Sequence, residues 1–156
     1  MDRVNISIIP FEDRFTQAFE RLNIEWLEEY FYVEDYDKQV LAHPREYILD
    51  KEGYIFMALI DQEPVGTVAL IKRGEGVYEL SKMGVTPKYQ GKRIGQKLMY
   101  HAINFAGTHN FSRLFLDSNT ILEPAIRLYR KVGFREIPVS KDTPYQRCNI
   151  RMELWI

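Results

Sequence analysis

The spacing of apolar residues in the first third of the chain predicts a strand followed by helices. Val4–Ile9 alternates apolar and polar residues, which is typical of a half-buried strand. Asn23 is a candidate break in the helical stretch that follows, and Pro44 suits the first turn of another short helix. Five larger apolar residues recur at intervals of four, three, four and four, so they lie along one side of one or two helices: Phe15, Phe19, Leu22, Trp26 and Tyr30.

The middle of the chain changes to short apolar runs separated by turn residues. Tyr54–Ile60, Val65–Ile71 and Val77–Val85 have the length and composition of strands. Because the links between them are short and turn-rich, these runs predict an antiparallel meander. The pattern then becomes helical over Lys92–Ala106, and Gly107 suits the C-terminal cap of that helix.

The last third of the chain predicts a strand, a helix and two more strands. Leu114–Leu116 is a short apolar strand, and Pro124–Val132 is a short helix that ends at Gly133. Strands at Phe134–Val139 and near Cys148–Trp155 follow. This order of elements predicts an α/β (mixed α+β) domain in which helices cover a central sheet.

Length and composition favour a single domain over residues 1–156. The chain is 46% hydrophobic and 28% charged, as ordinary globular proteins are, and its length leaves little room for two separate cores. One cysteine and three scattered histidines predict no metal site. No apolar stretch reaches roughly 18 residues, and the apolar run in Met1–Pro10 is too short for a signal peptide. We therefore expect a cytoplasmic protein that does not bind membranes.

The charged residues are divided unevenly along the chain. Residues 1–70 carry 15 Asp or Glu against 6 Lys or Arg, a net charge of −9, whereas residues 71–156 carry 7 against 15, a net charge of +8. This division predicts that the second part binds an anion. Nucleic acid is one such anion, but the basic residues form no long arm or stripe. A small phosphorylated ligand fits at least as well.

A candidate phosphate-binding loop, Thr86–Gly95, joins the third strand of the meander to the next helix. A helix start presents unpaired backbone N–H groups and the positive end of the helix dipole. Gly91 and Gly95 allow an anion to approach the backbone closely. The loop matches neither the Walker loop nor the dinucleotide-binding fingerprint, and the alternative is a turn with a solvated basic rim. Four cations lie in or next to it with no acid among them: Lys88, Lys92, Arg93 and Lys97.

Three segments of the second half carry recognisable motifs. Gln90-Gly-Lys-Arg-Ile-Gly95 is similar to Gln/Arg-x-x-Gly-x-Gly/Ala, although Arg93 stands at the first signature glycine. Ala125-Ile-Arg-Leu-Tyr-Arg-Lys-Val-Gly-Phe134 is similar to Ala-x-x-x-Tyr-x-x-x-Gly-Phe, and Asn149–Leu154 to a last strand. Over nearly its whole length the chain resembles the GNAT superfamily of acetyl-CoA-dependent N-acetyltransferases.

The resemblance implies a mostly antiparallel mixed sheet of about seven strands flanked by about four helices, with a site for acetyl-CoA. Backbone N–H groups around Met83 and Val85 would stabilise charge on the thioester oxygen. Asn119 would contact the pantetheine arm, although it lies six residues before Ala125 rather than the usual three. The loop residues that would bind the pyrophosphate are Gln90, Gly91, Lys92, Arg93, Ile94, Gly95 and Gln96.

The same resemblance implies acetyl transfer to a primary amine by direct attack. Tyr129 stands at the position of the family's proton donor to the departing thiolate, and a phenol is a neutral donor at pH 7. The alternative for Tyr129 is a core position on a helix. Glu79 is the candidate base, because a period of two would place it on one strand face with Ser81, Met83 and Val85. The alternative for Glu79 is a surface or salt-bridged strand glutamate.

The acidic and aromatic segment Glu25–Asp37 is the candidate site for the acceptor amine. Trp26, Tyr30 and Glu34 would attract a cationic amine through charge and the faces of aromatic rings, and Glu34 is a second candidate base. The acceptor would be a small molecule or a peptide. The alternative for this segment is a solvated helix face over an aromatic core.

Two other functions compete with acetyl transfer. Arg93 and the displaced Asn119 motivate an acyl-CoA-binding sensor or interaction module with little or no turnover. The basic stretch Lys88–Lys97 motivates nucleic-acid binding, although we expect no nucleic-acid partner. A homodimer is compatible with the sequence, and no residue in it specifies one.

Overall fold

Seven strands form one sheet with helices on both faces in the computed structural model, which describes residues 5–156. In chain order the elements are β1 (Ile6–Pro10), α1 (Thr16–Tyr30), α2 (Asp35–Ala42), α3 (Pro44–Tyr47), β2 (Tyr54–Ile60), β3 (Glu63–Gly74), β4 (Val77–Val85), α4 (Ile94–Thr108), β5 (Arg113–Ser118), α5 (Glu123–Lys131), β6 (Arg135–Ile137) and β7 (Ile150–Trp155). The sheet order is β1-β2-β3-β4-β5-β7-β6, and neighbours within it are antiparallel except for β4 and β5. This confirms the predicted mixed, mostly antiparallel fold.

The predicted strands agree with the observed ones, with differences at their ends. β2 and β4 have the predicted bounds, whereas β3 extends beyond Val65–Ile71 into the turns on both sides. The predicted strand Val4–Ile9 is observed from Ile6, and Val4 lies outside the described residues. β6 and β7 are shorter than predicted, and β5 is longer than predicted.

Each face of the sheet is covered by its own set of helices and its own apolar cluster. On one face, α1 and α2 pack Phe19, Leu22 and Leu41 against the sheet. On the other face, Leu98 and Met99 of α4 do so. The alternating residues of β2 contribute to both clusters, which explains why this strand is apolar throughout. The sheet therefore forms the middle layer of a three-layer domain.

Helix α1 is continuous through Asn23, so the expected break at this residue was wrong. The buried Asn23 side chain donates through Nδ2 to the carbonyl of Phe19 (3.0 Å), and its Oδ1 accepts from Nε1 of Trp26 (3.3 Å). Because the amide finds both partners on its own helix, it does not end the helix.

The acidic segment after α1 folds into α2, a helix that the apolar pattern did not predict. Oδ2 of Asp37, in the first turn, accepts a hydrogen bond from the backbone N–H of Glu34 (3.0 Å), the residue before the helix. Carboxylates at this end of a helix satisfy free N–H groups and the helix dipole. Part of the acidic character of this segment is thus explained by helix capping.

Helix α4 ends at Thr108, later than predicted, and α5 ends at Lys131, one residue before the predicted Val132. Gly107 lies within α4, and Asn110 (φ 58°) takes the left-handed conformation that reverses the chain. Asparagine tolerates this conformation better than most residues, which explains why no glycine is needed there. After α5 the left-handed residue is Gly133 (φ 109°), as expected.

A β-bulge at Lys82 changes which face the end of β4 presents. Ala69 pairs with Ser81 and Thr67 pairs with Gly84, so β4 contains one residue more than β3 between these pairs. Lys82 has a φ of 52°. A one-residue insertion moves every following side chain to the opposite face.

The expectation that four β4 side chains share a face was therefore wrong. Glu79 and Ser81 lie on the face of α1 and α2, where they contact Tyr145. Met83 and Val85 pack instead into the cluster on the face of α4.

The two parallel central strands separate soon after they pair. β4 and β5 are paired only from Val77 to Glu79 and from Arg113 to Phe115. Beyond this point Leu80–Val85 and Leu116–Ser118 diverge, and a gap opens in the middle of the sheet. This gap, together with the bulge, forms the candidate site.

Within residues 5–156 the longest helices are α1 and α4, with 15 residues each. Neither is long and apolar enough to cross a bilayer.

Packing of α1 against β4 depends on the absence of a side chain at Gly84. A Cβ at this position would lie 2.5 Å from the Leu22 carbonyl oxygen and 3.0 Å from Cδ1 of Trp26. We expect Gly84→Ala to lower the free energy of unfolding by about 1–3 kcal/mol, measured by urea denaturation. Gly107→Ala is the matched control, because a Cβ there meets no atom within 4 Å and alanine favours a helix. Equal stability of the two variants would contradict this packing.

Candidate active site

The central cleft, as we call it, is the gap between the diverging halves of β4 and β5. It has a volume of about 240 Å³. Backbone and side chains from both sheet faces reach it, because the sheet is open at this point. Its lining residues include Asn23, Trp26, Asp37, Ser81, Lys82, Met83, Val85, Gln90, Gly95, Asp117, Asn119, Ala125, Tyr129, Tyr145, Arg147 and Cys148.

The loop between β4 and α4 carries a row of free backbone N–H groups, and Gln90 and Gly95 of this loop line one end of the cleft. Within residues 5–156, the N–H groups from Gly91 to Gln96 have no hydrogen-bond acceptor. Gly91 has a φ of 83°, and a Cβ added to it would meet no atom within 4 Å, so the space on the side-chain side of its backbone is open. Nε2 of Gln90 donates to the carbonyl of Val85 (3.4 Å), which holds the loop against the end of β4. These features fit a pyrophosphate group.

The cations of the loop are available for an anion. None of Lys88, Lys92, Arg93 and Lys97 forms an ion pair with any described residue. Arg93 precedes α4 in the left-handed conformation (φ 62°), so an arginine adopts the backbone that a glycine would favour. Its side chain is accommodated because it is exposed to solvent.

Tyr129 of α5 faces the cleft close to the loop. It is 8% exposed, and no described residue hydrogen-bonds its hydroxyl group. Burial raises the pKa of Tyr129 to about 12, so the phenol keeps its proton throughout the neutral range. The ring also packs edge-on against Phe134. Tyr129 is thus a core residue whose hydroxyl group is free for a ligand in the cleft.

Asn119 lines the cleft, but its amide is used within the protein. Nδ2 donates to the carbonyl of Arg147 (2.7 Å), and Oδ1 accepts from the backbone N–H of Ile121 (2.9 Å). One N–H and one lone pair remain for a ligand. Its clearest role in the structure is to join the loop after β5 to the loop before β7.

Glu79 lies outside the cleft, behind Tyr145. Its Oε1 accepts from Nε of Arg73 (2.9 Å) and lies 2.7 Å from Nη2 in an ion pair, and its Oε2 accepts from the hydroxyl of Tyr145 (3.2 Å). The Tyr145 hydroxyl also lies 3.3 Å from Oγ of Ser81, which does line the cleft. Glu79 is therefore a salt-bridged strand glutamate that reaches the cleft only through another side chain.

Only one of the three predicted acceptor-binding residues lines the cleft. Trp26 does so, whereas Tyr30 is 47% exposed at the end of α1 and lies away from it. Glu34 is buried, and its Oε2 accepts from Nη1 of Arg147 (3.0 Å). Backbone N–H groups of Gln146 (2.9 Å) and Arg147 (3.3 Å) donate to the same carboxylate. Glu34 thus holds a loop in place and is not free to attract a cation.

A buried ionic group that was not predicted occupies the other end of the cleft. Nζ of Lys82 donates to Oδ1 of Asp37 (3.0 Å), and Arg147 donates to both oxygens of Asp37 (2.7 and 3.0 Å). Although burial raises the pKa of Asp37, Arg147 and Lys82 bring it below its usual value. Burial lowers the pKa of Lys82, and Asp37 opposes this effect. Lys82 lies over the Tyr145 ring, with Nζ 4.7 Å from its centre.

A lysine in the middle of a predicted central strand was the available signal for this group. Lys82 stands among strand residues that are mostly buried, and a lysine is rarely buried without a partner. Tyr145 and Arg147 lie in the long segment between β6 and β7, where no periodic pattern distinguishes them.

Comparison with known proteins identifies the family. Residues 16–134, more than half of the chain, match the acetyltransferase (GNAT) family. N-acetylaspartate synthetase from Homo sapiens is 31% identical over 102 residues, which cover 64% of this chain and 34% of that protein. The match thus spans about a third of the length of this relative.

Solved structures share the fold over almost the whole chain. An acetyltransferase of the GNAT family from Staphylococcus aureus Mu50 has a TM-score of 0.85 at 22% identity, covering 96% of this chain and 98% of that one. The PaiA N-acetyltransferase from Thermoplasma acidophilum, solved with coenzyme A, has a TM-score of 0.76 at 17% identity, covering 97% and 99%. The chain belongs to the acetyltransferase (GNAT) family, a family of acyltransferases, and the resemblance predicted from its motifs is confirmed.

The free space around Gly91 gives a test of the loop. We expect Gly91→Val to weaken coenzyme A binding at least ~10-fold, because a side chain there blocks the approach of an anion to the N–H groups. The free protein should lose no more than about 1–2 kcal/mol of stability, since only the positive φ opposes valine. Titration calorimetry measures the affinity, and Gly107→Val is the control. Unchanged affinity would mean that the loop is only a turn.

Proposed function

We propose that this protein is an acetyl-CoA-dependent N-acetyltransferase. The acceptor is a primary amine of a small molecule or peptide, and it attacks directly while both substrates are bound. The observation that supports this most strongly is the cleft itself. It connects the free N–H groups at the start of α4 with the free hydroxyl of Tyr129. Family membership supplies the reaction class.

The residues at the loop end bind and orient the acyl donor. The N–H groups of Gly91–Gln96 and the cations beside them bind the pyrophosphate, and backbone N–H groups near Met83 and Val85 face the thioester. Asn119 offers its remaining N–H and lone pair to the pantetheine arm. Acetyl-CoA, when bound, supplies the activated acetyl group.

Tyr129 is the proposed proton donor to the departing thiolate. A raised pKa of about 12 keeps its proton in place until a strongly basic group forms beside it. The free hydroxyl group needs no rearrangement to donate, because it has no partner among the described residues.

Glu79 is proposed to accept the amine proton through Tyr145. The Tyr145 hydroxyl can take a proton from the cleft at its oxygen while its own proton passes to Oε2 of Glu79, 3.2 Å away. Burial raises the pKa of Tyr145 well above its usual value, so it conducts the proton without ionising. Glu79 thereby acts through Tyr145.

A second candidate function is an acyl-CoA sensor with little turnover. Two engaged side chains favour it: the amide of Asn119 is bound to protein groups, and Glu79 is bound to Arg73. Release of thiol from acetyl-CoA with a panel of amines tests both functions. Coenzyme A binding without release across the panel would support the sensor. The expected cytoplasmic location, single domain and homodimer stay predictions.

The role of Tyr129 gives the first kinetic prediction. Tyr129→Phe should lower kcat by about 100-fold or more and leave the Kd for acetyl-CoA nearly unchanged, because only a proton donor is lost. Tyr100→Phe on α4, where the side chain is 45% exposed, is the matched control and should have wild-type kinetics. Wild-type kcat in Tyr129→Phe would exclude Tyr129 as the donor.

The role of Glu79 gives a prediction about pH. A lysine-like amine with a pKa near 10.4 is neutral in about one molecule in 2,500 at pH 7 and about one in nine at pH 9.5. Glu79→Gln should therefore lose at least ~10-fold in kcat/KM at pH 7, and most of this loss should disappear by pH 9.5.

The control for this pH experiment is Glu75→Gln, which changes a fully exposed side chain in the turn between β3 and β4. A defect in Glu79→Gln that stays constant with pH would show that Glu79 has a structural role only.

A further inference from the structure

The acceptor end of the cleft contains a group of four charged residues that we call the buried ion cluster: Lys82, Arg147, Asp37 and Glu34. Each of their side chains is at most 13% exposed. Lys82, Arg147 and Asp37 line the cleft directly. A ligand at this end of the cleft must therefore meet at least one charged group.

The two acids of the cluster have little hydrogen-bonding capacity left for a ligand. Asp37 accepts four hydrogen bonds, from Lys82, twice from Arg147 and from the backbone of Glu34. A carboxylate has about four lone-pair sites, so Asp37 is saturated. Glu34 accepts three hydrogen bonds from Gln146 and Arg147, and its side chain also accepts from the backbone N–H of Asp37.

The other acid that lines the cleft is also occupied. Asp117 accepts from Nε (2.6 Å) and Nη2 (2.8 Å) of Arg151 and from the hydroxyl of Thr143 (2.9 Å). Asp117 keeps about one lone-pair site, but among the described residues each acid that lines the cleft already has a cationic partner.

The two cations, by contrast, have N–H groups to spare. The Lys82 ammonium has three N–H groups, and one of them has a described acceptor, Asp37. The Arg147 guanidinium has five, of which three are used by Asp37 and Glu34, leaving Nε and one N–H of Nη2. The unused hydrogen-bonding capacity of the buried ion cluster is therefore mainly that of a donor.

Charge balance leads to the same conclusion. The cluster holds two cations and two anions and is neutral as a whole. An acceptor with one ammonium and one carboxylate keeps it neutral, whereas a diamine adds positive charge that no free carboxylate meets. An uncompensated charge in a buried site is strongly unfavourable.

We propose that the acceptor is an amine that also carries a carboxylate, as an amino acid does, and that Lys82 and Arg147 bind this carboxylate. The inference rests on the proposed function and narrows its substrate class. It replaces the expectation from the sequence that acids would attract a cationic amine.

Matched pairs of acceptors test the proposal on the wild-type protein. Free amino acids with small, apolar, acidic and basic side chains are compared with their α-carboxamides, and putrescine and spermidine represent amines without a carboxylate. Thiol release from acetyl-CoA gives kcat/KM for each. We expect the best amino acid to exceed its amide by at least ~100-fold. The amine of an amide is more often neutral near pH 7.5, so amine basicity cannot produce this preference.

The outcomes distinguish the proposed carboxylate binding from the proposed acetyltransferase function. Turnover of amides or polyamines at rates equal to or above those of amino acids would overturn the carboxylate inference and leave the acetyltransferase function standing. Thiol release with none of the acceptors, from a protein that binds coenzyme A, would overturn both.

A substitution of Lys82 tests whether this lysine binds the carboxylate of the acceptor. Lys82→Met keeps the side-chain length and leaves Asp37 paired with Arg147, so we expect it to fold. It should raise KM for the preferred amino acid at least ~10-fold and reduce the preference over the amide, with the Kd for coenzyme A unchanged. Lys38→Met on α2, where the lysine is 66% exposed, is the control. If a folded Lys82→Met protein keeps the wild-type preference for the amino acid over its amide, Lys82 does not bind the carboxylate. If this variant does not fold, the comparison of acceptors on the wild-type protein still decides the substrate class.

Discussion

One extra residue in β4, combined with the short pairing of β4 with β5, determines the chemistry of the cleft. Before the bulge at Lys82, alternate β4 side chains face α1 and α2, and after it Met83 and Val85 face α4. The bulge thus turns Lys82 towards Asp37. Because β5 has already diverged at that point, no strand of the described residues covers the backbone of β4 on this side. A regular strand would have placed Met83 and Val85 on the same face as Glu79 and turned Lys82 away from Asp37.

Burial of four charges beside this bulge is not explained by stability alone. Desolvating an ion costs several kcal/mol, and buried ion pairs are often no more stabilising than apolar residues of the same size. Hydrogen bonds to the carboxylates of the cluster offset the cost of burying these acids. N–H groups of Lys82 and Arg147, however, remain without an acceptor among the described residues. Such an arrangement suits a site completed by a ligand. The strained backbone of Lys82 agrees with this view, since non-glycine residues at positive φ concentrate at functional positions.

The sequence was informative where function depends on local structure and less so where it depends on distant contacts. The free N–H groups of Gly91–Gln96 follow from one strand–loop–helix segment, and the motif around Tyr129 lies on one helix, so both were predictable. The bulge at Lys82 arises from pairing with β3, and the engagement of Glu34 and Glu79 depends on Arg147 and Arg73, which are distant in sequence or on another strand. Periodicity contains no information about such partners, which is why free acids were expected there.

The hydrogen bond between Asn119 and the Arg147 carbonyl has a consequence for the order of events in the cleft. This hydrogen bond connects the loop after β5, which lies beside the proposed pantetheine site, to the loop before β7, which carries the Arg147 guanidinium. A donor molecule that stiffens the first segment also restricts the second, and by thermodynamic reciprocity each substrate then alters the other's affinity by the same factor. On the proposed function, this one amide contact would couple the binding of the two substrates without a hinge or domain movement.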